Sequence, residues 1–340
     1  MDEQRALDWR PPEHWRRLVA IESHTGGEPF RVVVDGLGDI PGESILDRRR
    51  YAEEHLDDLR KALMWEPRGH ADMYGGWPGP PVSPDADLSV LFCHNEGFST
   101  MCGHGIIALC KVVLETGMLP THEPETSLAI DTPAGLITSV STVVDGRVIS
   151  TRFRNVPSFV SDLDARVEVP GLGEVTYDLA FGGAYYAFVD APELELSLDD
   201  AAALITAGRA IKQAIVQSRD IVNPDHADLG FLYGVIFTGP ARGFDADSRQ
   251  VCVFADGEVD RSPTGTGVSA RLAILHSRNE VEPGQWITVA SIVGSLFRGR
   301  VAEAREASVI PEIEGSAHIT GRAEIWIDPD DTIGGGFFLR

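Results

Sequence analysis

Apolar and polar residues alternate along much of the chain, and this pattern predicts a fold built largely of β-strands. Runs typical of strands lie at 18–22, 30–34, 88–93, 135–144, 147–154, 174–178, 185–189, 231–238 and 250–254, with more after residue 277. Segment 75–84 is rich in Gly and Pro, which predicts a loop. The first 17 residues are polar, and we expect them to form a loosely ordered lead-in.

Four segments carry the pattern of helices. Residues 47–64 and 198–217 place apolar side chains at helical spacing with polar residues between them. Residues 106–114 are instead apolar on every face, which is the pattern of a helix buried on all sides, and residues 268–276 are interpreted as a second buried helix. The first of these two ends just before Gly117, a residue that suits the position after a helix C-cap.

The two apolar helices begin with related sequences. Residues 102–108 (CGHGIIA) align without gaps on residues 264–270 (TGTGVSA), about half of the 340-residue chain further on. Such self-similarity predicts a pseudo-repeat of two lobes, each a β-layer around one buried helix.

Charge and composition narrow the class of protein. The chain has 340 residues, 43% of them apolar, and a formal net charge of −23 from 52 acidic and 29 basic residues. A surface of this sign disfavours binding to nucleic acid or to an anionic membrane. No apolar run approaches the ~20 residues of a membrane span, and the N-terminus lacks the apolar stretch of a signal peptide. We therefore expect a cytoplasmic protein.

The spacing of the four cysteines fits no zinc or iron–sulfur template, and no disulfide framework is expected in a cytosolic chain. Cys93, Cys110 and Cys252 lie inside apolar runs and are interpreted as core residues. Cys102 differs because glycines follow it at the start of a helix. Neither a metal nor another cofactor is expected.

Both helix starts also match the G-x-G-x-x-A pattern of dinucleotide-binding folds. That pattern requires a strand that leads directly into the glycines. Here residues 94–100 separate the first copy from the preceding strand, and residues 260–263 precede the second. A nicotinamide or flavin site is therefore disfavoured.

A helix N-terminus offers free backbone N–H groups and the positive end of the helix dipole, and so it binds anions. Two such starts that face each other across a cleft would hold one carboxylate. Cys102 would lie at the first start, where the pKa of a thiol is expected to be lowered, and Thr264 at the second. His104 and Asp260 lie close by in the sequence. The alternatives are that His104 only caps its helix and that Asp260 is a turn residue.

Three other polar residues have weaker claims to a functional role. His24 and His94 are interpreted as exposed loop residues. Asp72 is interpreted as structural rather than catalytic.

Residues 101–105 (MCGHG) together with residues 260–267 (DRSPTGTG) resemble the active-site motifs of the proline racemase family. Segments 24–29, 152–157 and 291–295 resemble further family segments, so that the likeness runs from about residue 18 to 340. The resemblance implies the α+β fold of diaminopimelate epimerase, with two pseudo-symmetric lobes, each a β-barrel-like sheet around a central helix. The N-terminal lobe would comprise 18–165, completed by about 320–340, and the C-terminal lobe 166–320. It also suggests a homodimer.

Racemases and 4-hydroxyproline epimerases of this family carry one cysteine on each lobe, whereas this chain has Thr264 in place of the second. The Cys102–Thr264 pair resembles that of the trans-3-hydroxy-L-proline dehydratases of the family. The resemblance implies a small imino acid as substrate and no cofactor, with Asp260 at the ring amine and His104 nearby. Backbone N–H groups that would bind the substrate carboxylate are those around Gly103, His104, Gly265 and Thr266.

The chemistry of threonine argues in the same direction. Racemisation needs an acid and a base on opposite faces of the α-carbon, and a threonine hydroxyl is far too weak an acid to replace a thiol. Dehydration needs a single base. A Cys102 thiolate would abstract the α-proton, the 3-hydroxyl would leave, and Δ1-pyrroline-2-carboxylate would form. The proton donor to the hydroxyl stays open, with Cys102 one candidate. The alternatives are a proline racemase or 4-hydroxyproline 2-epimerase, and a non-catalytic carboxylate-binding homologue.

Overall fold

The computed structural model describes residues 2–339, which form eighteen strands and six α-helices. The strands are β1 (Arg16–Thr25), β2 (Glu28–Asp35), β3 (Tyr74–Gly79), β4 (Leu88–His94), β5 (Phe98–Ser99), β6 (Glu125–Thr132), β7 (Gly135–Val144), β8 (Arg147–Arg154), β9 (Phe159–Val169), β10 (Gly173–Phe181), β11 (Tyr185–Asp190), β12 (Leu232–Gly239), β13 (Ser248–Phe254), β14 (Glu258–Val259), β15 (Trp286–Ala290), β16 (Leu296–Ala304), β17 (Val309–Gly315) and β18 (Ala317–Ile327). The helices are α1 (Glu3–Asp8), α2 (Ile45–His55), α3 (Asp57–Met64), α4 (Gly103–Glu115), α5 (Ala201–Ser218) and α6 (Gly265–Ser277).

The same order of strand pairing occurs twice along the chain. In the first set, β1 pairs with β18 and β2, β2 runs parallel to β3, and β4 runs antiparallel to β3 and parallel to β6. In the second set, β10 pairs with β9 and β11, β11 runs parallel to β12, and β13 runs antiparallel to β12 and parallel to β15. Antiparallel pairing of β8 with β17 joins the two sets. The residue ranges predicted for the two lobes stay a prediction.

One buried helix belongs to each set of strands. Helix α4 packs against β1, β2, β8 and β18, and helix α6 packs against β9, β10, β16 and β17. Residues from Gly103 to Leu114 of α4 are all buried, as the apolar pattern predicts. The helix is followed by Gly117 at φ 75°, which confirms its role after the C-cap. Among residues 2–339, none of the helices is both long enough and apolar enough to span a bilayer.

Three predicted segments differ from the structure. The helix expected at 47–64 is two helices that meet at Leu56, whose φ of −124° and ψ of 10° interrupt the α conformation. The lead-in contains the short helix α1, which Asp2 caps by accepting a hydrogen bond from the backbone N–H of Arg5. The helix expected at 198–217 begins as a 3₁₀ turn, Leu198–Asp200, and continues as α5.

The expectation of a loop at 75–84 is wrong at its start, because strand β3 occupies Tyr74–Gly79. Glycine is needed here for close packing and not for a turn. A Cβ on Gly75 would lie 2.8 Å from the carbonyl oxygen of Arg31, and a Cβ on Gly76 would lie 2.6 Å from Cζ of Phe30. The strand therefore packs tightly on β2 and directs Tyr74 into the interior, where it is 2% exposed.

Candidate active site

The two buried helices meet at their N-termini, glycine against glycine. A Cβ on Gly103 would lie 2.6 Å from Cα of Gly265, and a Cβ on Gly265 would lie 2.8 Å from Cα of Gly103. Only glycine permits two backbones to approach so closely. The first turns of α4 and α6 thus present their backbone N–H groups to one small cavity. The cavity is lined by every residue predicted for the site, namely Cys102, Gly103, His104, Asp260, Thr264, Gly265 and Thr266.

Cys102 is the N-cap of helix α4. Its φ of −143° and ψ of 107° are those of an N-cap residue, and its Sγ accepts a hydrogen bond from the backbone N–H of Gly105 at 3.2 Å. The Sγ also lies 3.3 Å from Nδ1 of His104 and 3.5 Å from its Nε2. The thiol is buried, with 4% of the residue exposed. Its position is therefore fixed by the helix start and by the neighbouring imidazole.

Burial raises the pKa of the Cys102 thiol well above its usual value, in spite of the helix N-terminus. The negative charges of Asp260 and Glu28 act in the same direction, whereas the hydrogen bond from Gly105 lowers the pKa. The expectation of a lowered thiol pKa is thus wrong. The sequence reveals the helix start but not the desolvation and the nearby carboxylates, which outweigh it.

His104 is the second residue of α4, and it does not cap the helix. Its ring stands edge-on to the rings of Phe30 and Tyr74, with centroid distances of 5.7 and 4.9 Å. Burial lowers the pKa of His104 to about 3, so that the imidazole is neutral at physiological pH. Its Nδ1 lies 4.0 Å from Oδ2 of Asp260. The neutral imidazole therefore lies within hydrogen-bond distance of the thiol and next to the carboxylate.

Asp260 follows strand β14 and approaches the cavity from the side of α6. Burial raises its pKa to about 6, while Ser262 and the nearby hydroxyl of Thr264 lower it. Its Oδ1 accepts a hydrogen bond from the backbone N–H of Ser262 at 2.7 Å. This carboxylate is therefore held rigidly and is poised to change its protonation state near pH 6.

Thr264 occupies the N-cap position of α6 with a φ of 62° and a ψ of 93°. A β-branched residue at positive φ is strained, and such strain persists only where the surroundings impose it. Its Oγ1 is buried and makes no hydrogen bond of good geometry within residues 2–339. The hydroxyl is nevertheless near enough to lower the pKa values of Asp260 and Cys252. Thr264 thus places a buried hydroxyl group beside the cavity, at the start of α6.

Three buried tyrosines, Tyr74, Tyr186 and Tyr233, also line the cavity, and the sequence pattern does not predict them. The hydroxyl of Tyr74 is within hydrogen-bond distance of Oγ of Ser99 and lies 3.1 Å from the hydroxyl of Tyr233. The hydroxyl of Tyr186 lies 2.6 Å from Oγ1 of Thr266. Burial raises the pKa values of all three phenols well above 10, so that they stay protonated. Their sequence surroundings are ordinary apolar strands and a Gly-rich segment, which give no signal of a site.

A second cluster of charged residues lies beside the cavity. The backbone N–H of Arg261 donates to Oε2 of Glu28 at 2.7 Å, and Nη1 of Arg261 lies 2.8 Å from Oδ2 of Asp72. Burial and the charge of Asp260 raise the pKa of Glu28 well above its usual value. These contacts tie the turn between β1 and β2 to the loop that precedes α6. The interpretation of Asp72 as structural agrees with its ion pair to Arg261.

The two histidines interpreted as exposed loop residues both lie in strands. His24 belongs to β1, and its ring lies 5.3 Å from that of His318. His94 ends β4 and is buried, with its Nδ1 3.5 Å from Oε1 of Glu258. The interpretation of His94 as an exposed loop residue is therefore wrong, because β4 extends to His94 and its ring packs against Tyr74 and Phe254.

The remaining cysteines are buried free thiols. Burial raises the pKa of Cys93 to about 12 and that of Cys110 to about 11, which agrees with their interpretation as core residues. Cys252 is also fully buried and borders the cavity. Across residues 2–339, no three His, Cys, Asp or Glu side chains are grouped as metal ligands.

The chain is similar to known proteins over nearly its whole length. A family model described as proline racemase matches residues 20–338. An Azospirillum brasilense protein named trans-3-hydroxy-L-proline dehydratase is 44% identical over 331 residues, covering 96% of this chain and 99% of that protein. A Burkholderia multivorans protein named 3-hydroxyproline 2-epimerase is 43% identical with the same coverage. The crystal structure of an Agrobacterium vitis hydroxyproline epimerase with bound trans-4-hydroxy-L-proline is 33% identical, covers 96% of each chain and superimposes with a TM-score of 0.90. The predicted fold class is thereby confirmed.

Proposed function

The chain belongs to the proline racemase family, and from that membership and the geometry of its cavity we propose that it dehydrates trans-3-hydroxy-L-proline to Δ1-pyrroline-2-carboxylate. One observation carries the proposal: the cavity has a thiol, Cys102, at one helix start and a hydroxyl, Thr264, at the other. The names of relatives at 43–44% identity support the same substrate and reaction.

The meeting of two helix N-termini supports a site for the substrate carboxylate. The backbone N–H groups of Gly103, His104, Gly265 and Thr266 belong to the first turns of α4 and α6. Together with the two helix dipoles they stabilise a carboxylate, and more strongly its dianionic enolate form, because negative charge accumulates there as the α-proton leaves. The carboxylate in turn aligns the α-carbon with the two helix starts.

Asp260 is the partner that we propose for the ring amine. A substrate ammonium beside it offsets the negative charge that raises the pKa of the Cys102 thiol. Binding of the substrate therefore favours the thiolate, which is the form that acts as a base. This coupling explains how a buried thiol with a raised pKa becomes active only when the site is filled.

The proposed reaction begins with transfer of the α-proton to the Cys102 thiolate. The hydroxyl at C3 is trans to the carboxylate, and so it lies on the same ring face as the α-hydrogen. Loss of this hydroxyl as water leaves an enamine, which tautomerises to Δ1-pyrroline-2-carboxylate. All of these steps use one face of the ring, and none requires an acid at Thr264.

Epimerisation at the α-carbon is the second candidate, which the name of the Burkholderia multivorans relative favours. An epimerase must deliver a proton to the face opposite Cys102. A threonine hydroxyl has a pKa far above that of a thiol, which is about 8.5, and so it does not supply that proton efficiently. The identity of residue 264 therefore favours dehydration.

Substitution of Thr264 by cysteine is expected to add epimerase activity. The new thiol would stand at the start of α6 and would supply the missing acid, so that L-proline is racemised at least about 100-fold faster than by the wild type. Chiral chromatography of the reaction mixture measures the D-isomer. An unchanged rate of racemisation, with the variant folded, would contradict the role given to residue 264.

The pH dependence of kcat/KM is expected to follow Asp260. Because the pKa of this carboxyl in the free enzyme is about 6, kcat/KM should rise as the pH increases through that value and the carboxylate becomes available to the ring ammonium. Initial rates at a series of pH values measure this, with Asp260→Asn as the control that should lose this limb. A wild-type profile that is flat across pH 6 would contradict the assignment.

Product analysis tests the proposed function. The protein is incubated separately with trans-3-hydroxy-L-proline, trans-4-hydroxy-L-proline and L-proline, and the products are separated by chiral chromatography with mass detection. We expect loss of one water from the 3-hydroxy compound and no turnover of the other two. Epimers of 4-hydroxyproline or proline, without loss of water from the 3-hydroxy compound, would favour the second candidate. Binding without turnover of any compound would favour a non-catalytic homologue.

A further inference from the structure

Departure of the 3-hydroxyl requires a proton donor, since hydroxide is a poor leaving group. The polar groups already given roles are poorly suited to this task. His104 is a neutral imidazole, Asp260 is the partner of the ring amine, and the Thr264 hydroxyl is a weak acid on the far helix start. The donor must also lie on the same side of the ring as Cys102, because the α-hydrogen and the hydroxyl share one face.

Tyr74 lies on that side. Its ring stands edge-on to the ring of His104, with a centroid distance of 4.9 Å and an interplanar angle of 81°. The His104 ring in turn lies within hydrogen-bond distance of the Cys102 sulfur. Tyr74 and Cys102 line the same cavity, and a charge on Cys102 raises the pKa of the phenol. The phenol and the thiol thus line one cavity and share His104 as a neighbour.

The position of Tyr74 is fixed by its surroundings. The residue is 2% exposed, and its ring is stacked on that of His94 at 5.4 Å. Its hydroxyl is held by Ser99 and by Tyr233, the latter at 3.1 Å. Tyr186, by contrast, has its hydroxyl 2.6 Å from Thr266 of α6, on the side of the other helix start. Tyr74 is therefore the phenol that is both fixed and adjacent to the proposed base.

We propose that Tyr74 is a catalytic residue that donates its phenolic proton to the departing 3-hydroxyl. This inference rests on the proposed dehydratase function. The Cys102 thiolate takes the α-proton, the electrons of the Cα–H bond form the C2–C3 double bond, and the C3–O bond breaks. The oxygen leaves as water with the Tyr74 proton. The thiol proton then passes to the neighbouring phenolate, which restores both residues, so that the net change is loss of one water from the substrate.

The electrostatic coupling between the two groups favours this order of events. A charge on Cys102 opposes ionisation of Tyr74. When Cys102 accepts the α-proton that charge disappears, and the phenol becomes a stronger acid at the moment when the hydroxyl leaves. Burial raises the pKa of the Tyr74 phenol above its usual value, and loss of the charge on Cys102 removes one cause of that rise at the step that needs the proton.

The test is the variant Tyr74→Phe, assayed in D2O with trans-3-hydroxy-L-proline and with trans-3-fluoro-L-proline. Fluoride leaves with much less help from an acid than hydroxide does. We expect release of water to fall about 10²- to 10⁴-fold, while release of fluoride and α-deuteration of recovered substrate stay within about tenfold of the wild type. Tyr185→Phe is the matched control, because it removes a phenolic hydroxyl that lies outside the cavity and donates to the carbonyl oxygen of Val222 at 3.1 Å. It should dehydrate within about fivefold of the wild type.

Two results would overturn the role of Tyr74. Water release by Tyr74→Phe within about fivefold of the wild type would mean that another group, such as the Cys102 thiol, donates the proton. An equal loss of water release, fluoride release and α-deuteration would mean that Tyr74 supports the thiolate or the fold and not the leaving group. Failure of the wild type itself to release water is a different outcome, which would overturn the proposed function and this inference together.

Discussion

Replacement of Cys102 by serine is expected to lower the rate of dehydration at least about 10³-fold, because a serine hydroxyl does not ionise to a base at physiological pH. The fold should survive. Serine is a favourable N-cap residue, and its oxygen can accept the backbone N–H of Gly105 as the sulfur does at 3.2 Å. Initial rates with trans-3-hydroxy-L-proline, at matched protein concentration, measure the loss.

A second cysteine in the same helix provides the control for this variant. Cys110 is buried in α4, with its Sγ 3.3 Å from Oγ of Ser139, so that a serine hydroxyl at position 110 finds a partner. Cys110→Ser should keep its activity within a few-fold of the wild type. If Cys102→Ser did the same, the proposed mechanism would be wrong.

Substitution of Gly103 by alanine is expected to lower both the stability and the activity of the protein. The added methyl would lie 2.6 Å from Cα of Gly265, and backbone atoms in two packed helices can relieve such a contact only by moving apart. Overpacking of this kind costs about 1–3 kcal/mol of the free energy of unfolding. A displacement of about 1 Å between the two halves of the carboxylate site should lower kcat/KM about 100-fold.

Thermal unfolding and steady-state kinetics together measure the effect of Gly103→Ala. Gly321→Ala is the control, since a Cβ at Gly321 meets nothing within 4 Å. The control should keep both Tm and kcat/KM. A Gly103→Ala variant with the Tm and kcat/KM of the wild type would show that the contact between the helix starts is not needed for the site.

Sequence pattern predicted those parts of the fold in which a segment's own residues decide its environment. Helix α4 has no polar face, and its burial on all sides follows directly, whereas Arg271 and His276 of α6 are partly exposed. Strands β7 and β8 coincide with the predicted ranges because alternating side chains match a half-buried sheet. The break at Leu56 could not be predicted, since both flanking segments continue the same apolar spacing and the chain turns only to pack on the sheet.

For the candidate site too, local motifs predict some of the residues, whereas others depend on contacts between distant segments. The glycine-flanked motifs identify Cys102 and Thr264 because the two copies occupy matching places in a repeat. No repeated motif identifies Tyr74. Gly75 and Gly76 follow it and predict a loop, and only their packing against β2 shows that the segment is a strand. The raised pKa of Cys102 likewise depends on burial and on charges from distant segments, which no local pattern records.

Proton NMR of the wild type with trans-3-hydroxy-L-proline in D2O tests the central claim most directly. Dehydration through Cys102 predicts that the substrate resonances disappear while those of Δ1-pyrroline-2-carboxylate grow in their place. Exchange of deuterium into the α-position with inversion, and with the 3-hydroxyl retained, would contradict it and would identify an epimerase.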